Sequence, residues 1–129
     1  MIMLDTCAVL WWTLEPASLS TAAAAACATV ARQGGCLSAI SLWEIGIKWK
    51  RRTLDLGGLE LREYVSRLEQ VEGLEIVPVS GAIWVESVLL DWENRDPADR
   101  VIVATARLRG VPIITKDHII DAYHDPVIW

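Results

Sequence analysis

Apolar and polar positions alternate along this chain in short blocks whose period changes repeatedly. Ile2-Met3-Leu4 is a brief apolar run, as in a strand buried on both faces, and Asp5-Thr6 is a capping pair that leads into a helix over Ala8–Leu14. Pro16 ends that helix. From Ser20 the chain runs through five consecutive alanines to Gln33 before Gly34-Gly35, which predicts one continuous helix with a cap at its start and glycines at its stop. Cys36-Leu37-Ser38 predicts a short strand. Ser41 then opens a helix from Leu42 to about Arg52, with Leu42, Ile45 and Trp49, and also Trp43 and Ile47, at helical spacing.

Gly57-Gly58 breaks the pattern. An amphipathic helix follows over Leu61–Val71, then a strand over Leu74–Val79 and a helix over Ala82–Trp92. Asp96-Pro97 places a cap and then proline at the first helical position, and Val101, Ile102, Thr105 and Leu108 continue one face up to Gly110. Val111–Thr115 predicts another strand, the residues after Asp117 a short turn or helix, and Pro126–Trp129 a terminal edge strand. Short buried strands alternating with helices imply an α/β fold, a mostly parallel central sheet flanked by helices on both faces. There is no internal repeat and no linker, so residues 1–129 are expected to form a single domain.

Composition narrows the function classes. Twelve Lys and Arg stand against seventeen Asp and Glu, a net charge of -5, so no protein-wide positive field draws in nucleic acid. Any such role must be local or metal-mediated. Cys7, Cys27 and Cys36 are odd in number and lack C-x-x-C spacing, which argues against a disulfide framework or a thiolate zinc site; they read as buried small hydrophobes. The longest uncharged stretch worth testing as a membrane span, Leu19–Ala31, is too short to cross a bilayer, and the first residues lack a basic region, so no membrane association and a reduced, cytoplasmic location are expected. Seven Trp with no Phe leave tryptophan to fill core corners or a partner interface, and core packing is the default for Trp11, Trp12, Trp43 and Trp49.

The carboxylates carry the candidate chemistry. Asp5 follows the first strand and Asp117 the Val111–Thr115 strand, while Glu44 and Asp99 fall in the first turns of helices leaving the same sheet edge. That edge is where ligands bind in such folds. Four acids in one crevice repel one another unless a hard divalent cation compensates, and oxygen-only ligation favours Mg²⁺ or Mn²⁺. Those ions keep waters that serve as nucleophiles, which makes phosphodiester hydrolysis the natural reaction. Capping competes at each position: Asp5 and Asp96 fit N-caps, Asp99 a favourable charge at a helix start, and Ser41-Leu42-Trp43-Glu44 an S-x-x-E box. Asp117 is harder to explain as a cap. Lys48, Lys50, Arg51 and Arg52 form the one dense basic patch, either complementing a helix dipole or touching an RNA backbone. Arg100 and Lys116 stand beside the acids, to orient phosphate oxygens or merely to soften repulsion.

Taken together, Leu4-Asp5-Thr6-Cys7-Ala8, Ser38–Ile45, Asp96-Pro97-Ala98-Asp99-Arg100 and Ile114-Thr115-Lys116-Asp117 resemble the PIN domain, with VapC-type toxins the nearest likeness. The resemblance spans essentially the whole chain. It implies a single-domain, metal-dependent ribonuclease in which Asp5, Glu44, Asp99 and Asp117 form the acidic quartet that binds Mg²⁺ or Mn²⁺. Thr6 matches the hydroxyl residue beside the first acid, and Asp96 an additional acid before the third. Asn94 stands where many relatives have histidine, and the alanine run is plainer than usual. The resemblance also implies an RNA substrate, a cognate antitoxin and a homodimer. Two alternatives compete: a receiver-like phosphoryl-transfer domain, which a helical Glu44 disfavours, and a PIN-like module that has lost activity and only binds protein.

Overall fold

The computed structural model describes residues 1–129. In chain order it comprises β1 (Ile2–Leu4), α1 (Thr6–Leu14), a 3₁₀ turn (Pro16–Ser18), α2 (Thr21–Cys27), α3 (Val30–Gln33), β2 (Gly35–Ser38), α4 (Ala39–Lys50) and α5 (Leu61–Glu69). It continues through β3 (Leu74–Val77), α6 (Gly81–Leu89), α7 (Pro97–Arg109), β4 (Ile113–Ile114), α8 (His118–Asp121) and β5 (Val127–Ile128). All pairings are parallel and the strand order is β3-β2-β1-β4-β5, as expected for an α/β chain whose strands are joined by helical crossovers. This order differs from the receiver-like order 2-1-3-4-5. The direction of winding reverses at β1, so the ligand crevice of such a sheet falls between β1 and β4.

Alternation along each strand feeds two cores. Ile2, Leu4, Leu37 and Ile114 point to one face, where Val9, Cys27, Ile45, Tyr64 and Leu68 cover them from α1, α2, α4 and α5. Met3, Cys36, Val77 and Ile113 point to the other, under Ile83, Val101, Ile102 and Ile120. The strands are thus buried on both faces, which is why they read as unbroken apolar runs. No tryptophan is fully buried: Trp43 is 63% and Trp84 45% exposed, and Trp11, Trp12 and Trp49 are only partly covered. Aliphatic side chains fill the core instead. Cys27 and Cys36 are buried, whereas Cys7 is exposed, contrary to its reading as a core residue.

The alanine-rich helix is broken in two. The Thr29 hydroxyl donates to the Ala26 carbonyl at 2.7 Å, a local bond that competes with helix continuation, and Val30 begins the separate α3 with its side chain in the core. Gly73 explains how the chain passes beneath this turn: its φ is +79°, and a Cβ there would lie 2.2 Å from the Val30 carbonyl oxygen. The strand expected over Val111–Thr115 is shorter, because the left-handed Gly110 lets the Val111 amide bond back to the Ala106 carbonyl and close α7.

Arg100 lies within α7, and its role differs from the expected contact with phosphate. Its Nε donates to the Ser87 carbonyl at 2.8 Å, Nη1 to Trp92 and Asn94 at 2.7 and 2.8 Å, and Nη2 to Val88 and Leu90 at 3.3 and 2.9 Å. All five donors of the guanidinium are spent on backbone. They tie down the segment from the end of α6 to the start of α7, which has no regular structure to satisfy its own carbonyls. An ammonium has neither the fork nor the donor count. Arg100→Lys is therefore expected to destabilise the protein by about 2–4 kcal/mol in urea unfolding, and a loss within experimental error contradicts this role.

Candidate active site

Backbone pairing brings the first and last acids together. Leu4 and Ile114 are register partners, and the Asp5 amide donates to the Ile114 carbonyl at 3.2 Å, so the chain ends of β1 and β4 leave the sheet side by side. Asp5 follows β1 immediately and Asp117 follows β4 by three residues. α4 leaves β2 at the same edge carrying Glu44, and α7 packs against α4 with Asp99 in its first turn. The result is a cleft of about 340 Å³ lined by Asp5, Thr6, Glu44, Asp96, Asp99 and Asp117, with Cys7, Trp11, Lys48, Ile102 and Lys116 completing its walls. The expected quartet and the additional Asp96 are gathered in one place.

Each quartet carboxylate is oriented by one held oxygen. Asp5 Oδ1 accepts from the Ala8 amide at 2.7 Å, capping α1. Asp117 Oδ1 accepts from the Ile119 amide at 2.8 Å, capping α8, so this acid is a cap after all. Asp99 Oδ2 accepts from Asn94 Nδ2 at 2.9 Å. Glu44 Oε1 accepts from the Thr6 hydroxyl at 2.5 Å. Thr6 has a single proton, which goes to the charged acceptor, and the buried Ser41 hydroxyl 2.9 Å away donates to the Thr6 oxygen. Because a carboxylate accepts at about four lone-pair sites, capping leaves most of its acceptor capacity for a ligand. The capping and catalytic readings of these acids are compatible.

Three details depart from the sequence expectations. α4 starts three residues earlier than the S-x-x-E box implies: Ser38 is the N-cap, its hydroxyl accepting from Ile40, and Ser41 sits inside the helix facing Thr6. Glu44 consequently lies in the second turn. The basic patch is divided, because successive helical residues turn by about 100°. Lys48 lines the acidic cleft, whereas Lys50 and Arg52 line a separate one beside Trp49 and Glu60, and Arg51 lines neither. Asn94, singled out only as a departure from histidine, proves to be a partner of Asp99. Its own carbonyl is held by Arg100 and its side-chain oxygen accepts from the Asp96 amide at 3.0 Å. The S-x-x-E signal at Ser41 pointed to a cap, whereas its hydroxyl lies inside α4 beside Thr6.

Electrostatics express the crowding. Burial, and then the charges of Asp117 and Glu44, push Asp5 up to about 6 against an ordinary 3.8, with bonds from Thr115 and Ala8 pulling the other way. Asp99 is likewise pushed up to about 6, chiefly by burial and then by Asp96, Asp117 and Glu44, against the Asn94 bond. Loss of hydration and the charge of Asp5 push the Cys7 thiol up, keeping this softer donor protonated. An all-oxygen, mutually repelling donor set fits a hard divalent cation. No group of three His, Cys, Asp or Glu side chains is drawn together in chelating geometry. The set therefore suits a hard divalent cation by donor chemistry and not by a preformed chelate.

A parallel α/β sheet with acid-only donors at its switch point defines a class of domain built around a cation-type site. Comparison with known proteins makes the family explicit. The family model of the PIN domain matches residues 2–125, and the chain belongs to that family. It is 30% identical over 131 aligned residues to "Ribonuclease VapC22" of Mycobacterium tuberculosis, covering 99% of this chain and 98% of that protein. The fold resembles that of M. tuberculosis VapC20, a toxin described as cleaving the sarcin-ricin loop, with a TM-score of 0.70, 16% identity and coverage of 95% and 94%. It also resembles a toxin-antitoxin complex from Klebsiella pneumoniae, with a TM-score of 0.69, 19% identity and coverage of 100% and 97%.

The raised acids make stability depend on pH. A carboxyl whose folded pKa exceeds its unfolded value favours the folded state fully below about pH 3.8, and that contribution is lost as pH rises through about 6. For Asp5 the loss is about 3 kcal/mol; the less enclosed Asp99 contributes less. His124, buried and pushed down by burial, acts oppositely on the acid side. Comparing wild type with Asp5→Asn cancels that term. In EDTA the variant should be more stable than wild type by up to about 3 kcal/mol near pH 8 and lose most of this advantage near pH 4. A pH-independent difference in urea unfolding contradicts the assignment.

Proposed function

We propose that this protein is a ribonuclease that hydrolyses RNA phosphodiester bonds with the help of Mg²⁺ or Mn²⁺, and that it is the toxin of a toxin–antitoxin pair acting in the cytoplasm as a single domain over residues 1–129. The observation that carries the reading is the meeting of Asp5, Glu44, Asp99 and Asp117 in one cleft at the switch point of a PIN-domain sheet. Full-length similarity to a protein named as a VapC ribonuclease supports the reaction class.

In this reading Asp5, Glu44 and Asp99 hold the cation, directly or through water, and Asp117 orients the attacking water. The cation supplies Lewis-acid stabilisation of phosphate charge and an acidified water. Thr6 keeps the Glu44 carboxylate turned into the cleft, with Ser41 behind it, and Asn94 does the same for Asp99. Lys48 and Lys116 offset the acids where a phosphodiester enters. No helix is long and apolar enough to cross a membrane.

An exposed apolar strip supports the partner reading. Trp84, Val85, Val88 and Leu89 form an exposed apolar strip on α6, with Val88 75% and Leu89 70% exposed. Such a strip suits a protein contact, and we assign it to the homodimer; an antitoxin is expected as the second partner, in keeping with the toxin-antitoxin structure of similar fold.

Two measurements test these statements. RNA cleavage should require Mg²⁺ or Mn²⁺, cease in EDTA, and fall by about a hundredfold or more in Asp99→Asn. Cleavage that survives both removes the metal-quartet reading, and a protein that cleaves no RNA under any of these conditions is the binding module instead. In sedimentation, Val88→Glu should shift a dimer to monomer; an unchanged mass removes α6 from the interface.

A further inference from the structure

A second groove, of about 390 Å³, adjoins the acidic cleft and shares two wall residues with it, Cys7 and Trp11. Leu10, Leu14 and Leu54 make its interior apolar. Cys7, Leu10, Trp11 and Leu14 are spaced at three, four and seven residues along α1, so one stripe of that helix floors the groove and ends at the acids. The Trp11 indole is held in place. Trp129 packs against it at 5.4 Å with planes inclined by 51°, and Lys116 Nζ lies 5.9 Å from its ring centre.

The charges on the two sides differ in kind. Lys48 and Lys116 line the acidic cleft, whereas the only charged groups in the groove are the carboxylates Glu15 and Asp55. A phosphate entering the groove meets repulsion without any compensating cation, whereas in the cleft Lys48, Lys116 and the cation of the proposed reading offset the five carboxylates, so the RNA backbone has reason to stay on the cleft side. A neutral, flat nucleobase meets an aromatic surface, apolar walls and two hydrogen-bond acceptors. Single-stranded RNA is recognised in this way, by splaying bases onto aromatic side chains and reading their edges.

We propose that this groove is a nucleobase subsite, in which Trp11 is the stacking surface for a base adjoining the phosphate held in the acidic cleft. Glu15 and Asp55 accept from exocyclic amino groups, so adenine, guanine or cytosine is preferred there over uracil. The proposal rests on the ribonuclease reading, and its test separates the two.

The affinity of labelled single-stranded RNA is measured by anisotropy with Mg²⁺ in an Asp99→Asn background, and KM is measured in the Asp99-intact enzyme. Trp11→Ala should weaken both by about tenfold or more, and Trp11→Phe should recover most of the loss. An RNA abasic at the subsite position should bind wild type as weakly as intact RNA binds Trp11→Ala, with no further loss when the two are combined. Glu15→Gln, at an exposed residue, should narrow the preference against uracil while the protein stays folded. Equal affinity of Trp11→Ala and Trp11 proteins for intact RNA overturns the subsite, as does a groove that takes up a partner's peptide while RNA binding ignores Trp11. If wild type cleaves RNA and Trp11→Ala is indistinguishable from it, the subsite fails and the nuclease reading stands. Base-dependent binding without cleavage keeps the subsite and removes the nuclease reading.

Discussion

Five carboxylates line one cleft between β1, β4, α4 and α7, and their mutual repulsion is the constraint around which the rest of the molecule is arranged. Burial and like charges raise Asp5 and Asp99 to about 6, so near neutral pH both are held ionised at a cost to folding. Such a cost is tolerated only where surrounding structure supplies more than enough stability. Here it comes from a sheet buried on both faces and from α7, whose residues Val101–Ala106 are all buried. A bound cation converts the same repulsion into binding energy.

Orientation of the acids is obtained from elements the fold needs anyway. Asp5 and Asp117 begin helices, and the bond that satisfies an orphan amide also fixes the carboxylate. Glu44 and Asp99 begin no helix, and each is steadied instead by a neighbouring element: Thr6 of α1 for the first, Asn94 for the second. Asn94 sits on an irregular segment, and Arg100 fixes that segment through the Leu90 and Trp92 carbonyls ahead of it and through the Asn94 carbonyl itself. Arg100 thus serves the site from behind, as a clamp on the loop that carries the partner of Asp99.

Much of this was legible in the residues themselves. Strands buried on both faces read as apolar runs at Ile2–Leu4 and Cys36–Leu37, and Asp96-Pro97 with Gly110 bracketed α7 closely. The quartet followed from placing Asp5 and Asp117 after strands and Glu44 and Asp99 near the starts of helices at the same edge. What stayed hidden depended on side chains meeting backbone out of sequence. Ser38 and Ser41 are both plausible caps, and pairing of β2 with β1 and β3 decided between them. The Thr29 bond that divides the alanine helix leaves no trace in hydrophobic periodicity. Arg100 next to Asp99 suggested a shared pocket, yet adjacent residues on a helix point about 100° apart. The same rotation separated Lys48 from Lys50.

The most direct test of the acidic cleft as a cation site is Mn²⁺ binding followed by electron paramagnetic resonance, with no RNA present. Wild type should show saturable Mn²⁺ binding that Mg²⁺ displaces, and Asp5→Asn, Glu44→Gln, Asp99→Asn and Asp117→Asn should each weaken it, while Asp121→Asn, an acid outside the cleft, leaves it unchanged. Binding that is indifferent to all four substitutions contradicts the account.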